Sequence, residues 1–276
     1  MLSKIKCGKF NIKFNRTIII GVLNVTPDSF SDGGLYINKE MAVNRAIEMV
    51  SEGADIIDIG GESSRPGSKS ISISEELERV LAVIEILSKK INVPISIDTY
   101  KPEVAEECLK LSACIINDIT GLRNKKMIHV AKKYNAPVII MHMQGYPKTM
   151  QKAPKYKNII MEINEFFKGQ ISLAEKNGVK DIIIDPGIGF GKTTEHNLEI
   201  LRNLREFKKQ GKPILIGTSR KSFLGNITGM TVNERLGATL ASVIISVMNG
   251  ANIVRVHDVK ECKRALSVVD AVMDKG

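Results

Sequence analysis

The 276 residues are 43% apolar, enough for a sizeable core, and no Pro/Gly/Ser-rich or charge-run linker divides them, so residues 1–276 read as one domain. No apolar stretch is long enough to span a bilayer, the longest being around Ala238–Met248, and four cysteines without CxxC spacing (Cys7, Cys108, Cys114, Cys262) indicate reduced thiols in a cytoplasmic protein. The net charge of +10 reads mainly as a lysine-rich solvated surface, with attraction of an anionic ligand as its functional side; 5% aromatic content and scattered basic residues argue against nucleic acid.

The N-terminal MLSKIKCGKFNIKF carries lysines throughout and no continuous apolar core, which argues against a secretory signal. Residues 4–14 alternate around Gly8 and read as a small hairpin closing the N-terminal end of the main fold. Eight β-branched apolar runs come next, each stopping on polar residues. They are TIIIGVLN (17–24), ADIIDIGGESSRPG (54–67), PISID (94–98), ACIIND (113–118), PVIIMH (137–142), DIIID (181–185), PILIGTSRK (213–221) and ANIVRVHD (251–258). Runs apolar on both faces suit a buried parallel sheet, whose strands need helical crossovers. Helices are expected at 39–52, 73–90, 102–111, 124–133, 156–177, 195–209, 232–249 and 259–274. Ser74, followed by Glu75 and Glu76, is expected to cap the second, and Pro102 to open the third. Cys114 reads as a small core residue within its strand. Eight strand–helix units make an α/β fold of the (β/α)₈ barrel type, where catalytic groups gather at the C-terminal strand ends. A doubly wound open sheet would show fewer strands and a Gly-rich turn near the start.

Asn24 ends the first strand and offers a neutral oxygen to a hard cation or a phosphate-bound Mg²⁺. The segment after it, through Thr26, Asp28 and two glycines, suits a mobile loop over a site. The second strand ends in GGESSRPGS (60–68), whose hydroxyls and Arg65 suit phosphate or carboxylate recognition, or form an ordinary exposed loop. Asp98, Asn117 and Asp185 end strands three, four and six. Converging in a barrel mouth, they suit a metal or, with Lys221, the edge of a fused heterocycle; as single residues they read equally as caps. The segment DPGIGFGKT (185–193) imitates a phosphate loop, but Gly187 and Gly191 have three residues between them where the pattern needs four. ATP is therefore rejected, and the glycines are expected to let the backbone approach a ligand. Ser219-Arg220-Lys221-Ser222 leads into a short helical turn that suits an anion. Arg255 and His257 share one strand face and are expected to point inward as paired cationic donors for a phosphate or diphosphate. His129, His142 and His196 lack metal-ligand spacing, which argues against zinc.

From Gly21 to Val259 the chain resembles the bacterial-type dihydropteroate synthases of the pterin-binding (β/α)₈ superfamily. The segments carrying the resemblance are GVLNVTPDSFSDGG (21–34), GADIIDIGGESSRPGS (53–68), SIDTYKPEVA (96–105), INDITG (116–121), MHMQGYPKTMQ (141–151), DIIIDPGIGFGKT (181–193), GTSRKSFLG (217–225) and RVHDV (255–259). Eight such segments in order are very specific, and one departure stands out: Ser64 occupies a position where the family often has threonine, so a methyl is lost beside 4-aminobenzoate.

The resemblance implies a Mg²⁺-assisted condensation of (7,8-dihydropterin-6-yl)methyl diphosphate with 4-aminobenzoate, giving 7,8-dihydropteroate and diphosphate. It implies that Asp98, Asn117, Asp185 and Lys221 hold the pterin, with Met141, Phe190 and Gly217 lining the pocket. Asn24, Ser64, Arg255 and His257 would contact diphosphate, Asn24 also binding Mg²⁺. Arg65, with its neighbour Pro66, and Ser222 would receive 4-aminobenzoate, and Thr26 and Asp28 would close over the reacting carbon. Departure of diphosphate would precede attack, in an SN1-like substitution, with both loops ordering after the pterin diphosphate binds. A homodimer is implied, and neither nucleic acid nor membrane is a partner. The nearest rival is the methyltetrahydrofolate:corrinoid methyltransferase type, which has no use for a diphosphate site. A pterin-binding paralogue without catalysis would have lost loop or diphosphate residues.

Overall fold

In the computed structural model, which describes residues 4–26, 35–64 and 67–275 (side chains of 35–38 apart), every expected apolar run contributes a parallel strand. The hairpin comes first: β1 (Lys4–Cys7) and β2 (Phe10–Lys13) pair antiparallel, Ile5 opposite Ile12 and Cys7 opposite Phe10. Next in the chain are β3 (Ile18–Asn24), α1 (Leu35–Ser51), β4 (Ile56–Gly60), α2 (Ile73–Lys90), β5 (Ile95–Asp98), α3 (Pro102–Lys110), β6 (Ile115–Asp118) and α4 (Lys125–Tyr134). The second half adds β7 (Val138–Met141), α5 (Ile159–Lys176), β8 (Ile182–Asp185), α6 (Thr194–Arg202), β9 (Leu215–Ile216), α7 (Ser222–Thr228), α8 (Leu236–Met248), β10 (Ile253–Val256) and α9 (Val259–Val272).

The eight parallel strands run in the order β8-β7-β6-β5-β4-β3-β10-β9. The ring closes through one bridge, Ile184 to Ile214, with the Ile184 amide donating to the Pro213 carbonyl at 3.0 Å. This is the expected (β/α)₈ barrel, preceded by its hairpin.

Side chains alternate along each strand. Those facing out, such as Ile57, Ile97, Ile116, Ile140, Ile184 and Val254, pack with the helices in the main core. Those facing in begin with a dry layer that includes Ile20, Ile56, Ile115, Ile139, Ile183 and Ile253. Ile5, Cys7 and Ile12 of the hairpin complete that layer, so the hairpin does seal the N-terminal end of the barrel. Two residues further along the same strands the inward positions turn polar: Ile56 gives way to Asp58, Ile115 to Asn117, Ile183 to Asp185 and Ile253 to Arg255.

Some boundaries differ from expectation for local reasons. The cap of α2 is Ser72, not Ser74: Ser72 is extended (φ −68°, ψ 159°) and its side chain accepts from the Glu75 amide at 3.2 Å. Pro102 does open α3. The helix expected at 195–209 is α6 followed by a 3₁₀ turn, Leu204–Gln210, and the one at 232–249 begins with a 3₁₀ turn, Val232–Glu234. The seventh strand starts only at Leu215 and spans Leu215–Ile216: Pro213 has no N–H to give a ladder, and the Ile214 amide donates to Asn252 Oδ1 at 3.0 Å. Cys114 lies just before β6, half-buried against the hairpin, and all four cysteines are free thiols.

Candidate active site

Strand register fixes the inner wall of the mouth. Asp98 on β5 pairs with Asn117 on β6, and Asp58 on β4 pairs with Ser96 on β5. Arg255 reaches across from β10, donating from Nε to Asp58 Oδ2 at 2.7 Å and from Nη2 to Asp98 Oδ2 at 2.8 Å. Asn117 Nδ2 donates to the same Asp58 oxygen at 2.9 Å. Asp58 is absent from the expected site, and strand parity is the signal that points to it: it shares the inward face with Ile56 and Gly60.

Burial sets the protonation of these groups. It pushes the Asp98 carboxyl up to about 7, an effect that Arg255 opposes and Asp58 reinforces. It pushes Asp185 up to about 6 against the Gly187 amide, which donates to Asp185 Oδ1 at 2.8 Å. Lys221, the residue preceding α7, is pushed down to about 8 by burial and by Arg255. Its ammonium lies 4.0 Å over the Phe190 ring, which packs with Met141, Met143 and Ile119 in a small apolar cluster. His257 corrects one expectation. Burial, then Arg255 and Arg220, drive its pKa down to about 3, so of that pair Arg255 carries the charge and His257 is neutral. Its Nδ1 and its backbone amide both meet Ser219 Oγ, at 3.0 and 3.2 Å.

The loops after β7 and β8 are clipped together. Gly187 has φ +71° and a Cβ there would lie 2.0 Å from the His142 carbonyl oxygen; Gly191 has φ +62° and would meet the Gln144 carbonyl at 2.5 Å. These two glycines therefore serve contact between loops, not approach to a ligand as expected. The buried Lys192 ammonium completes the clip, reaching His142 Nδ1 at 3.0 Å, the Phe190 carbonyl at 3.0 Å and the His142 carbonyl at 3.3 Å. Burial lowers Lys192 to about 7 and His142 to about 2. Sequence spacing carries no sign of this pair, because its halves sit on different loops.

Asn24 ends β3 in register with Gly60. A Cβ at Gly60 would lie 3.7 Å from Asp98 Oδ2 and 3.8 Å from Asn24 Oδ1, so glycine keeps open a gap bounded by two oxygens. Gly217 similarly faces Arg255, 3.7 Å from Cβ to Cβ if it carried one. Ser64 is half-buried at the end of a segment rooted by Glu62, which accepts from Tyr100 at 2.6 Å and from Lys101 at 2.6 Å. Ser222 is exposed at the first position of α7, where Arg235 holds the carbonyls of Arg220 and Lys221 at 3.1 and 3.4 Å. Asp28, Arg65 and Pro66 lie outside the described residues. Among the described residues no three His, Cys, Asp or Glu side chains gather as a metal cluster. The mouth thus offers acceptors and one buried ammonium to a heterocycle, beside a guanidinium suited to an anion.

The pattern of the family described as "Pterin binding enzyme" matches residues 20–257. The chain is 47% identical over 257 residues to the dihydropteroate synthase of Escherichia coli K12, covering 92% of this chain and 91% of that one. Among solved structures it is similar to dihydropteroate synthase from Clostridium difficile in the presence of pteroic acid (48% identity, TM-score 0.89, 97% of this chain and 98% of that one). It is also similar to the Xanthomonas albilineans dihydropteroate synthase with 4-aminobenzoic acid (38% identity, TM-score 0.93, 98% of each chain).

Proposed function

The chain belongs to the dihydropteroate synthases, a family of pterin-binding enzymes, and from that premise we propose how its barrel mouth joins (7,8-dihydropterin-6-yl)methyl diphosphate to 4-aminobenzoate. The observation that carries the reading is the gathering of Asp98, Asn117 and Asp185 around Arg255 and Lys221 at one end of the barrel. Asp98 and Asp185 accept from the pterin's N–H groups, Asn117 shares its edge, and Lys221 donates from the Phe190 face. Met141, Phe190 and Gly217 form the wall.

Arg255 is the charge that faces the departing diphosphate, with His257 as a neutral donor beside it and Ser64 and Asn24 completing the anion's surroundings. The gap at Gly60, with the Asn24 oxygen on its edge, would suit a hard cation. We assign Asn24 as the protein's ligand for Mg²⁺, which when bound neutralises charge on the diphosphate.

The methylene C–O bond breaks as diphosphate leaves, and the pterin π system spreads the positive charge left on carbon. The neutral arylamine nitrogen then forms the C–N bond and releases a proton to solvent. No strong base is required, because the arylamine is nucleophilic when neutral. Ser222 and Arg65, with its neighbour Pro66, receive the 4-aminobenzoate, and Thr26 and Asp28 serve the reacting carbon.

The same reading covers the assembly. One continuous barrel core supports a single domain. Exposed Ile227, Leu236, Ile245, Met248 and Val268 lie on α7, α8 and α9, which pack side by side, and this apolar face supports a homodimer. No described helix is long and apolar enough to cross a membrane, and free thiols support the cytoplasm.

The test is diphosphate release from pterin diphosphate, with and without 4-aminobenzoate and Mg²⁺. Dihydropteroate formed only when all three are present is the expected outcome. No turnover with the full mixture would sink the assignment.

A further inference from the structure

Asp58 is a buried charge for which the proposed reaction has no direct use. It stands on β4 between Ile56 of the dry layer and Gly60 at the rim, wholly buried. Its Oδ2 accepts from Arg255 Nε at 2.7 Å and from Asn117 Nδ2 at 2.9 Å, while its Oδ1 has no partner among the described residues. On the neighbouring strand, in register with it, the buried Ser96 Oγ has no partner among them either. A half-satisfied buried carboxylate lowers stability, so packing alone does not account for it.

Its geometry does. A carboxylate only accepts, so Asp58 obliges the Asn117 amide to turn its NH₂ group inward, and the Asn117 oxygen becomes the face left for a ligand. The same oxygen holds Arg255 by Nε while Asp98 holds Nη2, so the guanidinium is stretched between two strands with Nη1 outside both pairs. Without Asp58 the amide is free to turn over and the guanidinium to fold onto Asp98 alone.

We propose that Asp58 is a positioning residue that sets the donor–acceptor polarity of Asn117 and the tilt of Arg255 together, locking pterin recognition and diphosphate recognition into one geometry. This rests on the assignment of Asn117 to the pterin and Arg255 to the diphosphate made above.

The test compares full-length Asp58→Ala and Asp58→Asn with the unsubstituted protein. It reads kcat and KM for each substrate, binding of a pterin lacking diphosphate, binding of inorganic diphosphate with Mg²⁺, and melting temperature. Asp58→Asn keeps an oxygen where both donors point, and its kcat/KM for pterin diphosphate is expected to stay within about tenfold of the unsubstituted protein. Asp58→Ala removes the acceptor and is expected to lose roughly a further ten- to a hundredfold. Pterin and diphosphate binding should weaken together, with KM for 4-aminobenzoate unchanged and the fold intact. Equal losses in both variants, or a loss matched by unfolding, would overturn the proposal.

A second arm covers an Asp58→Ala that does not fold. Asn117→Asp sets two carboxylates against each other, and adding Asp58→Asn restores one donor and one acceptor with reversed polarity. At least about tenfold recovery of kcat/KM is expected, and no recovery refutes the idea. If the unsubstituted protein makes no dihydropteroate, the functional reading fails by itself, while the two binding measurements still report on Asp58.

Discussion

At the N-terminal end of the barrel the inward residues are isoleucines, Ile56, Ile115, Ile183 and Ile253 among them, sealed beneath by the hairpin. One strand repeat further on, the same strands present Asp58, Asn117, Asp185 and Arg255. The isoleucine layer holds no charge, whereas the upper one holds three carboxylates with two cations; Ser96, in register with Ile115 on one side and Asp58 on the other, lies between the two, and its hydroxyl and one Asp58 oxygen are without partners among the described residues. Stability and chemistry are therefore stacked along the barrel axis. The lower layer holds the strands at a fixed register, and that register places the costly groups of the upper layer at bonding distance from one another.

The largest test of that division is Arg255→Ala. It leaves Asp58 and Asp98 facing each other without the guanidinium that bridges them, so stability should fall by about 3–5 kcal/mol. Turnover should fall on the order of 10³-fold, about 4 kcal/mol of lost transition-state stabilisation. Denaturant melts and steady-state kinetics read both, and full activity would remove Arg255 from the site. Ile183→Ala probes the lower layer. It should cost about 2–5 kcal/mol of stability with kcat/KM unchanged in the folded protein. A large kinetic loss there would show that the two layers are not separable.

Lys192→Met tests the clip between the two loops. Losing the donor to His142 and to the Phe190 carbonyl should cost about 1–3 kcal/mol. Because the Phe190 ring backs Lys221, kcat/KM for pterin diphosphate should also drop about tenfold, which kinetics at a fixed 4-aminobenzoate concentration would show. The smallest effect is in pH. With Asp98 ionising near 7 and Lys221 losing its proton near 8, kcat/KM should rise through the first value and fall through the second. His257 adds a stability signature. Its folded pKa of about 3 lies below the unfolded value near 6.5, so its contribution is present above pH 6.5 and is lost as pH falls towards 3. The melting-temperature gap between the protein and a His257→Gln variant should accordingly shrink in acid.

Much of this was legible in the residues alone, for physical reasons. The short β-branched runs, bounded by turn residues, suit buried strands, and Asp98, Asn117 and Asp185 announce themselves at the ends of those runs. Asp58 hides because it sits inside its run, flanked by isoleucines, where only counting parity from Ile56 turns it inward. The neutrality of His257 depends on burial and on two arginines brought from elsewhere in the chain, which no local pattern encodes. Lys192 and His142 meet across fifty positions of sequence for the same reason. The α2 cap is Ser72 rather than Ser74 because backbone angles, not residue type, decide which serine accepts from the helix.

The joint between β8 and β9 has a consequence for motion. A single bridge closes it, where β4 and β5 share three paired positions, so the ring is thinnest there and the Ile184 amide should be among the first barrel amides to exchange with solvent. Asp185 stands at the tip of β8 and Lys221 lies beyond the tip of β9, on opposite sides of that joint. A heterocycle held by both, as proposed, would act as a clasp, and slower exchange at Ile184 would then be a direct reading of an occupied mouth.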